Sequence, residues 1–554
     1  MLRFQSWEEI EKTIEGGPTE AERRLKAAVE TGKPCQCGPE GQTPPEPEDW
    51  SSLPTDRHIR ADVLRFFLLG GGQDSPATEF GVGLAGALIS GNLDLMDCEI
   101  TGNMLLHYCV FQHGVYATRC TALKNIRLAS CKLPFLVATG LKTGGQLSCT
   151  GAEFQNKDGE ALNLQNAEIG RDLFLRAAKI FGAADLNGLK TGSNLDCTDA
   201  ELQNEGETAL NLQNADIGQD LFLSSAKTLG EAKLNGLKTG GDLTCSSAVF
   251  QNKDAKALIL QSADIGQGFI FRDQTTVQGV VDLSSAKCGD LVDDPVCWPD
   301  DAQDGENLIL DGFTYHRIIG STDARTRLDW LAKGDTWNGE FIPQPYKQLA
   351  KVLHDMGHEA DATKVRVALG EKLRHHARKE RITNAKHPIH RLCTMATTPA
   401  LWIWHSLSLL LTGHGFRPER SLIALVLLWV LATIPAHLAW EEGSFAPNSA
   451  VALQSESWAT YGADHSYPPH PNPAKDWSLT SSIGRDWESF NRYAYAADLV
   501  VPIIDLGQTD AWAPSTARGW WGWHLWWARW FFTLAGWIVT ALGAAALTGI
   551  IRRE

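Results

Sequence analysis

From Leu84 an apolar residue returns at every eleventh position, through Leu95, Leu106, Ala117 and Leu128. A second series, Ile89, Ile100, Phe111, Ala122 and Leu133, follows it at an offset of five. The grid continues through Leu164, Leu175, Leu186 and Cys197, then through Leu260, Phe271 and Leu283 to about Leu310. Apolar positions spaced alternately by five and six residues fit neither the 3.6-residue period of a helix nor the alternation of a flat hairpin sheet. They fit a chain wound into a four-sided coil with about 22 residues per turn. Successive turns would pair at the roughly 4.8 Å inter-strand distance, so about ten turns make a rod roughly 50 Å long.

A coarser repeat lies on this grid. The segment LKTGGQLSCTGAEFQNKDGEALNLQNAEIGRDLFLRAAKIFGAADLNG begins at Leu141, near copies begin at Leu189 and Leu237, and the period is 48 residues. Three steps of eleven and one of fifteen make up that period. The four extra residues fall in polar, turn-like insertions at 155–160, 203–208 and 251–256. These should project from one corner on every second turn, roughly 10 Å apart. Lys157, Asp158, Glu205, Glu207, Lys253 and Asp254 are therefore candidate partner-binding residues.

Cys98, Cys109, Cys120 and Cys131 share the eleven-residue spacing. They occupy the position that holds Ala167, Ala178 and Ala215 elsewhere in the repeat, a small inward slot in which cysteine acts as a small hydrophobe. A column of sulfurs along a rod does not converge as a tetrahedral metal site requires. Cys35 and Cys37 form a separate C-x-C pair in an expected loop. The winding resembles that of the pentapeptide-repeat β-helices over about 230 residues, with six-residue sides and long insertions as departures.

Both ends of such a coil need covers. Residues 6–30 read as helical, 38–56 as an acidic, proline-rich linker, and DRHIRADVLRFFLLGGG as an amphipathic helix whose Ile59, Val63, Phe66 and Phe67 cap the first turn. ARTRLDWLAKG is an expected helix at the far end. QPYKQLAKVLHDMGHEADATKVRVALGEKLRHHARKE resembles one tetratricopeptide-type hairpin, turning at Gly357, with Leu349, Val352 and Leu353 facing Ala362, Val365 and Leu369. His354 and His358 stand at a metal-capable spacing only on an unbroken helix, and no third ligand is evident.

Composition divides the chain. Fifteen of the twenty tryptophans follow residue 400, where Leu422–Trp440 and Trp530–Ile551 are each long and apolar enough to cross a bilayer. Lys372–Arg391 carries seven basic residues against one acid, whereas 441–523 carries four against ten. The positive-inside rule then places both termini in the cytoplasm and the loop outside. WWGWHLWW reads as an aromatic belt, and PALWIWHSLSLLLTGHGF as a helix lying along the inner surface. YAYAADLVVPIIDLGQTDAW is too short to span. It suits a re-entrant segment, an interfacial helix broken at Pro502, or packing for the outer loop. Asp498 and Asp505 are candidates for acidic rings in an oligomeric pore.

The opening MLRFQSWEEIEKTIEGG is not a secretory signal. The scattered cysteines suit a reducing compartment. The net charge of −16 argues against nucleic-acid binding. GVGLAG spells the dinucleotide fingerprint at Gly81, Gly83 and Gly86, but that motif works only between a strand and a helix, and here Leu84 is already on the coil grid. No phosphate loop, nucleophile elbow or zinc-protease motif occurs. No cofactor, metal or catalytic residue is expected.

The order of repeat rod, PYKQLAKVLHDMGHEADA hairpin, GHGFRP turn, span, DLVVPIIDLGQ and second span resembles a largely uncharacterised family of bacterial membrane proteins with an N-terminal β-helix, some of them labelled membrane-associated oxidoreductases. The expected fold is a β-solenoid (a quadrilateral β-helix) with a small α-helical region and two C-terminal transmembrane helices. Its parts are an N-terminal helix and linker (1–56), a helical cap (57–83), the β-helix (84–316), a helical hairpin with a basic segment (317–395), an interfacial helix (396–416), a first span (421–441), an extracytoplasmic loop (442–523) and a second span (529–551). The leading functional expectation is a scaffold at the bacterial inner membrane that presents a cytoplasmic rod to a protein partner. The alternatives are an oligomeric channel gated by the rod and, from the family label alone, an oxidoreductase. Expected partners are the lipid bilayer, a protein and, in the channel reading, further copies of the chain; nucleic acid is not among them.

Overall fold

The eleven-residue grid folds into a parallel β-solenoid of about nine turns. The computed structural model describes residues 3–299, 307–337, 340–383, 406–407, 410–411, 419–462 and 469–548, without the side chains of 158, 254 and 378–383. They form two compact units, Met1–Leu369 and Gly370–Glu554. In the first unit Leu84 pairs beside Leu106 and Leu106 beside Leu128, steps of 22 residues. The step lengthens to 26 where an insertion falls, as from Leu147 to Leu173 and from Leu195 to Leu221.

Two parallel sheets, of 19 and 14 strands, form the walls. The corners follow from local chemistry. In Leu164–Ala167 the Ala167 N–H donates to the Leu164 carbonyl at 3.1 Å, and Asn166 adopts φ +53°. A positive φ at the third residue makes this a type II turn. Asp199, Asn214 and Ser225 repeat the conformation, and the short polar side chains of Asn and Asp tolerate it best. Ala177 adopts it too, at φ +51°, without such relief, at a cost of about 1–2 kcal/mol.

Inside, columns of equivalent residues stack. One runs Leu84, Leu106, Leu128, Cys149, Leu175, Cys197, Leu223, Cys245 and Phe271, all buried. Another runs Ala87, Cys109, Cys131, Ala152, Ala178, Ala200, Ala226 and Ala248. Outside, two ladders alternate in charge: Lys132, Glu153, Lys179, Glu201 and Lys227 along one sheet, and Lys142, Glu168, Lys190, Asp216, Lys238, Asp264 and Lys287 along the other. The sign changes at each turn, which gives the repeat its two-turn period. Exposed pairs such as Lys142–Glu168 at 3.1 Å stabilise little individually.

The N-terminal cover differs from the sequence reading. Residues 6–30 form two helices, α1 (Trp7–Thr13) and α2 (Glu20–Thr31), and the 57–83 cap is helical only in α3 (Ala61–Leu68). Ile59 is on a strand, His58–Arg60, that pairs with Leu88–Ser90. Cys35–Gln36 pairs with Leu84–Ala85, so the C-x-C pair lies on a rung and is not in a loop. The open edge of the first turn accepts these short strands because its N–H and C=O groups need partners. Glu22, buried in α2, caps its own helix through Thr19 and accepts from the Arg60 N–H and Nε, each at 2.9 Å.

The far end closes on a charge. Asp293 follows Phe271 in the inward column. Its carboxylate accepts from Trp298 Nε1 at 2.7 Å and from both Arg327 Nη atoms at 2.7 Å. Arg327, on α4 (Ala324–Ala332), and Asp293 are fully buried side by side, with Arg327 Nε donating to the Ser321 carbonyl. Then α5 (Gln344–Asp355) and α6 (Glu359–Thr383) turn at Gly357, φ +86°. Leu349, Val352, Leu353, Ala362 and Val365 join the solenoid core, with Leu369 packed against it. The last solenoid strand ends at Ile319, three residues beyond the expected boundary.

In the second unit, α7 (Glu419–Glu441) and α9 (Trp520–Leu547) are long and apolar enough to cross a membrane. The WWGWHLWW belt is part of α9 rather than a segment before it. The two run antiparallel: Glu442, just after α7, accepts from the N–H groups of Trp520, Trp521 and Gly522, while Ser421 near the start of α7 lies against Gly543 near the end of α9. Small residues are buried on both helices, Ala432, Ala436 and Ala439 on α7 and Gly522, Gly536 and Gly543 on α9, of which Gly543 meets α7 at Ser421. Of the expected interfacial helix only 406–407 and 410–411 are described; they are helical, and Leu411 packs on Val539 and Leu542. The rest, and residues 384–391 of the basic segment, lie outside the described residues.

Replacing Arg327 with Met strands a buried carboxylate and should destabilise the solenoid by about 3–5 kcal/mol, whereas Asp293→Leu with Arg327→Met should recover most of that loss. Urea unfolding of the full chain, followed by far-ultraviolet circular dichroism, measures both.

Candidate functional site

Three features carry candidate chemistry: the cysteines, the insertions and the short apolar segment between α7 and α9. Cys109 and Cys131 stack in adjacent turns as expected, and both are fully buried. Cys98 and Cys120 also stack in adjacent turns as expected, but Cys98, first of its column, is half-exposed rather than buried, with Arg65 Nη2 of the cap 3.3 Å from its sulfur. Burial pushes the thiols of Cys120, Cys149 and Cys288 up to about 12, and those of Cys109, Cys197 and Cys245 upward as well. A protonated thiol in an apolar column is neither a nucleophile nor a ligand. Cys35 Sγ and Cys37 Sγ are 3.8 Å apart and buried; their mutual contact, with burial, pushes Cys37 up. Among the described residues no group of three His, Cys, Asp or Glu side chains converges as a metal site. His354 ends α5 and its Nδ1 contacts Glu359, while His358 lies past the break. Gly81 and Gly83 sit on the strand Gly81–Ala85, where the eleven-residue grid begins, which leads through Gly86 to another strand and to no helix.

The insertions take the same position on alternate turns, but as bulges within continuous strands, Glu153–Asn163, Glu201–Asn211 and Val249–Ile259, rather than as loops. The ladder skips between Gln155 and Glu160, between Gln203 and Thr208, and between Gln251 and Lys256. Each bulge is closed by an asparagine. Asn156, Asn204 and Asn252 donate from Nδ2 to the carbonyls of Glu160, Thr208 and Lys256 at 2.9, 2.9 and 2.8 Å. The intervening turn meets each bulge with a glycine: Gly182, Gly230 and Gly279 take φ +122°, +124° and +128°, and a Cβ there would strike bulge carbonyls. Lys157, Glu205, Glu207 and Lys253 are exposed along this row. Asp158 and Asp254 belong to it by position. Lys256 Nζ reaches Asp282 at 2.8 Å; burial opposes the charge on Asp282, but hydrogen bonds from Lys256 and Ser284 hold its carboxyl below the usual range.

The short apolar segment is a helix followed by a return. Helix α8 (Arg492–Val500) starts at Asn491, whose Oδ1 accepts from the N–H groups of Tyr493 and Ala494 at 2.9 and 3.2 Å. It stops before Pro502, which cannot continue it. Its buried residues Tyr495, Ala496, Leu499 and Val500 pack in the core between α7 and α9. Trp429 Nε1 of α7 donates to the Tyr493 carbonyl at 2.9 Å, and the Val500 carbonyl abuts Gly536 of α9 so closely that no Cβ fits. At 1.5 Å per residue Trp429 is about 18 Å from the end of α7 and Gly536 about 24 Å from the start of α9. The first turn of α8 therefore meets the middle of α7, and its tip reaches the middle of α9. The chain then turns back, and Gln508 beside Asn491 closes the return: its Oε1 accepts from the Asn491 N–H at 2.8 Å.

Asp498 and Asp505 play different parts here. The Asp498 carboxylate accepts from the N–H groups of Leu506, Gln508 and Thr509 at 2.7, 2.8 and 3.3 Å, pinning the return segment to α8. Asp505 is exposed and, among the described residues, accepts from the Gly507 N–H alone, at 3.0 Å. The sequence reading missed Asn491, Gln508, Trp429 and Gly536. Asn491 alone carried a local signal, a helix-capping residue ahead of an alanine-rich run; the other three act through contacts distant in sequence. Comparisons with protein-family models, curated proteins and solved structures find no match to this chain.

In a Cys393→Ala background, a thiol reagent applied to the folded chain should modify Cys98 first and leave Cys149, Cys197 and Cys245 untouched until the protein unfolds. Peptide mass mapping reads the order, and early modification of the three column cysteines would contradict the packing.

Proposed function

We propose that the protein is a scaffold held at the bacterial inner membrane by α7 and α9, presenting the β-solenoid in the cytoplasm to a protein partner. The observation that carries this reading is the row of three bulges, set in one register on alternate turns and braced by asparagine and glycine. A plain solenoid strand needs no such insertions. Irregular, charged, braced backbone on a rigid frame is the usual form of a recognition surface. The spacing of two turns, roughly 10 Å, matches a partner that reads periodic charge along an extended face. The basic residues beside α7 and the acidic balance of 441–523 support the orientation. The likeness to membrane-anchored β-helix proteins agrees with an architecture in which the membrane part positions and the rod recognises.

A photo-crosslinking side chain at position 157, 205 or 253 should give the same adduct in cells. The same group at Arg171, Gln219 or Gln267, on the other sheet, should not. Scrambling the three bulges, with circular dichroism unchanged, should remove the adduct. Equal capture from both faces would refute the binding edge.

A further inference from the structure

The return segment after α8 has no part in tethering, and its backbone poses a separate problem. With α7 and α9 crossing a membrane, residues 501–507 are non-helical chain at mid-membrane depth. Among the described residues no donor reaches the carbonyls of Pro502, Ile503, Ile504, Asp505 or Leu506. Irregular backbone at that depth is tolerated only where protein buries it or water wets it. This chain does not bury it: Ile503 is 83% exposed and Leu506 50%. A single copy offers one row of carbonyls and cannot enclose water, so the site is incomplete without further copies.

We propose that several copies of the chain close around a water-filled path lined by the Pro502–Leu506 segments, and that this path conducts monovalent cations. Four features set the sign. Carbonyl oxygens replace the water around a cation. The C-terminal end of α8, the negative end of its dipole, points to mid-depth at Val500. Asp505 stands exposed on the return segment itself. The outer loop adds ten acids against four basic residues, which raises the local cation concentration. Asp498 is a positioning residue, since its oxygens are engaged by the return segment's own N–H groups. Gly536 positions as well, by letting α8 descend to that depth. This activity goes beyond the scaffold role and does not depend on it.

The test uses the full chain at high density in planar bilayers under a potassium chloride gradient. Cation-selective current is expected, and Asp505→Asn should move the reversal potential toward that of a non-selective path. A cationic, membrane-impermeant thiosulfonate added from the loop side should block current through Ile503→Cys and leave the parent unaffected. Ile503 is exposed, so this substitution disturbs no core contact, and protection of the solenoid cysteines verifies folding. Silence from folded, oligomeric protein, anion selectivity, or an Ile503→Cys thiol that stays unmodified as one facing lipid would, each overturns the proposal. Scrambling the solenoid bulges should leave the current intact, which separates this activity from partner binding.

Discussion

Each turn of the solenoid exists because its peptide groups have no partner except the turns above and below. A short side of two or three residues satisfies almost nothing within itself, so N–H groups donate to the neighbouring turn at about 2.8 Å all along the stack, as from Lys179 to Ala152 and from Glu201 to Ala178. That single requirement fixes the rest. It holds equivalent residues one rung apart, turns sequence periodicity into columns, and leaves open edges at both ends. The cap strands Cys35–Gln36 and His58–Arg60 meet that demand at one end; at the other, Gln344 and Gln348 of α5 meet it, Gln344 accepting from the Gly312 N–H and the two amides donating to the Phe313 and Tyr315 carbonyls.

The columns also explain the composition. A slot between two equivalent side chains accepts a fixed volume, so Leu alternates with Cys from Leu175 to Cys245, and Ala repeats in the narrow column. Cysteine here is chosen for size. In the column thiols Cys149, Cys197 and Cys245 its sulfur chemistry is suppressed by the same burial that gives it a packing role. On the outer walls the vertical spacing brings like positions close together. Alternating Lys with Glu or Asp avoids a stack of equal charges, and this alternation makes the repeat two turns long.

The second unit faces the same demand. Two apolar helices satisfy their own backbones, but the segment between them does not. Helix α8 consumes its amide groups internally, Asn491 caps it, Asp498 takes up N–H groups of the return, and Gln508 takes up the Asn491 N–H. The return carbonyls remain, exposed on one side of the packed helices. Were α7 and α9 to cross a bilayer, which cannot supply hydrogen bonds, these oxygens would be the groups of this unit most in need of partners.

The winding, the period of 48, the inward series, the turn at Gly357 and the two apolar helices could all be read from the sequence, because each arises from contacts between residues at regular spacing. The identity of the corner residues and the role of most cysteines follow from the same regularity. What tertiary structure alone decided is everything that depends on partners distant along the chain: Cys35–Cys37 as a rung, Ile59 on a strand, Cys98 at the cap, Asp293 paired with Arg327, and the descent of α8 against Trp429 and Gly536. The sequence also left Asp498 and Asp505 equivalent. Only the fold separates them, because the return of the chain brings three N–H groups to one carboxylate and leaves the other exposed, with one.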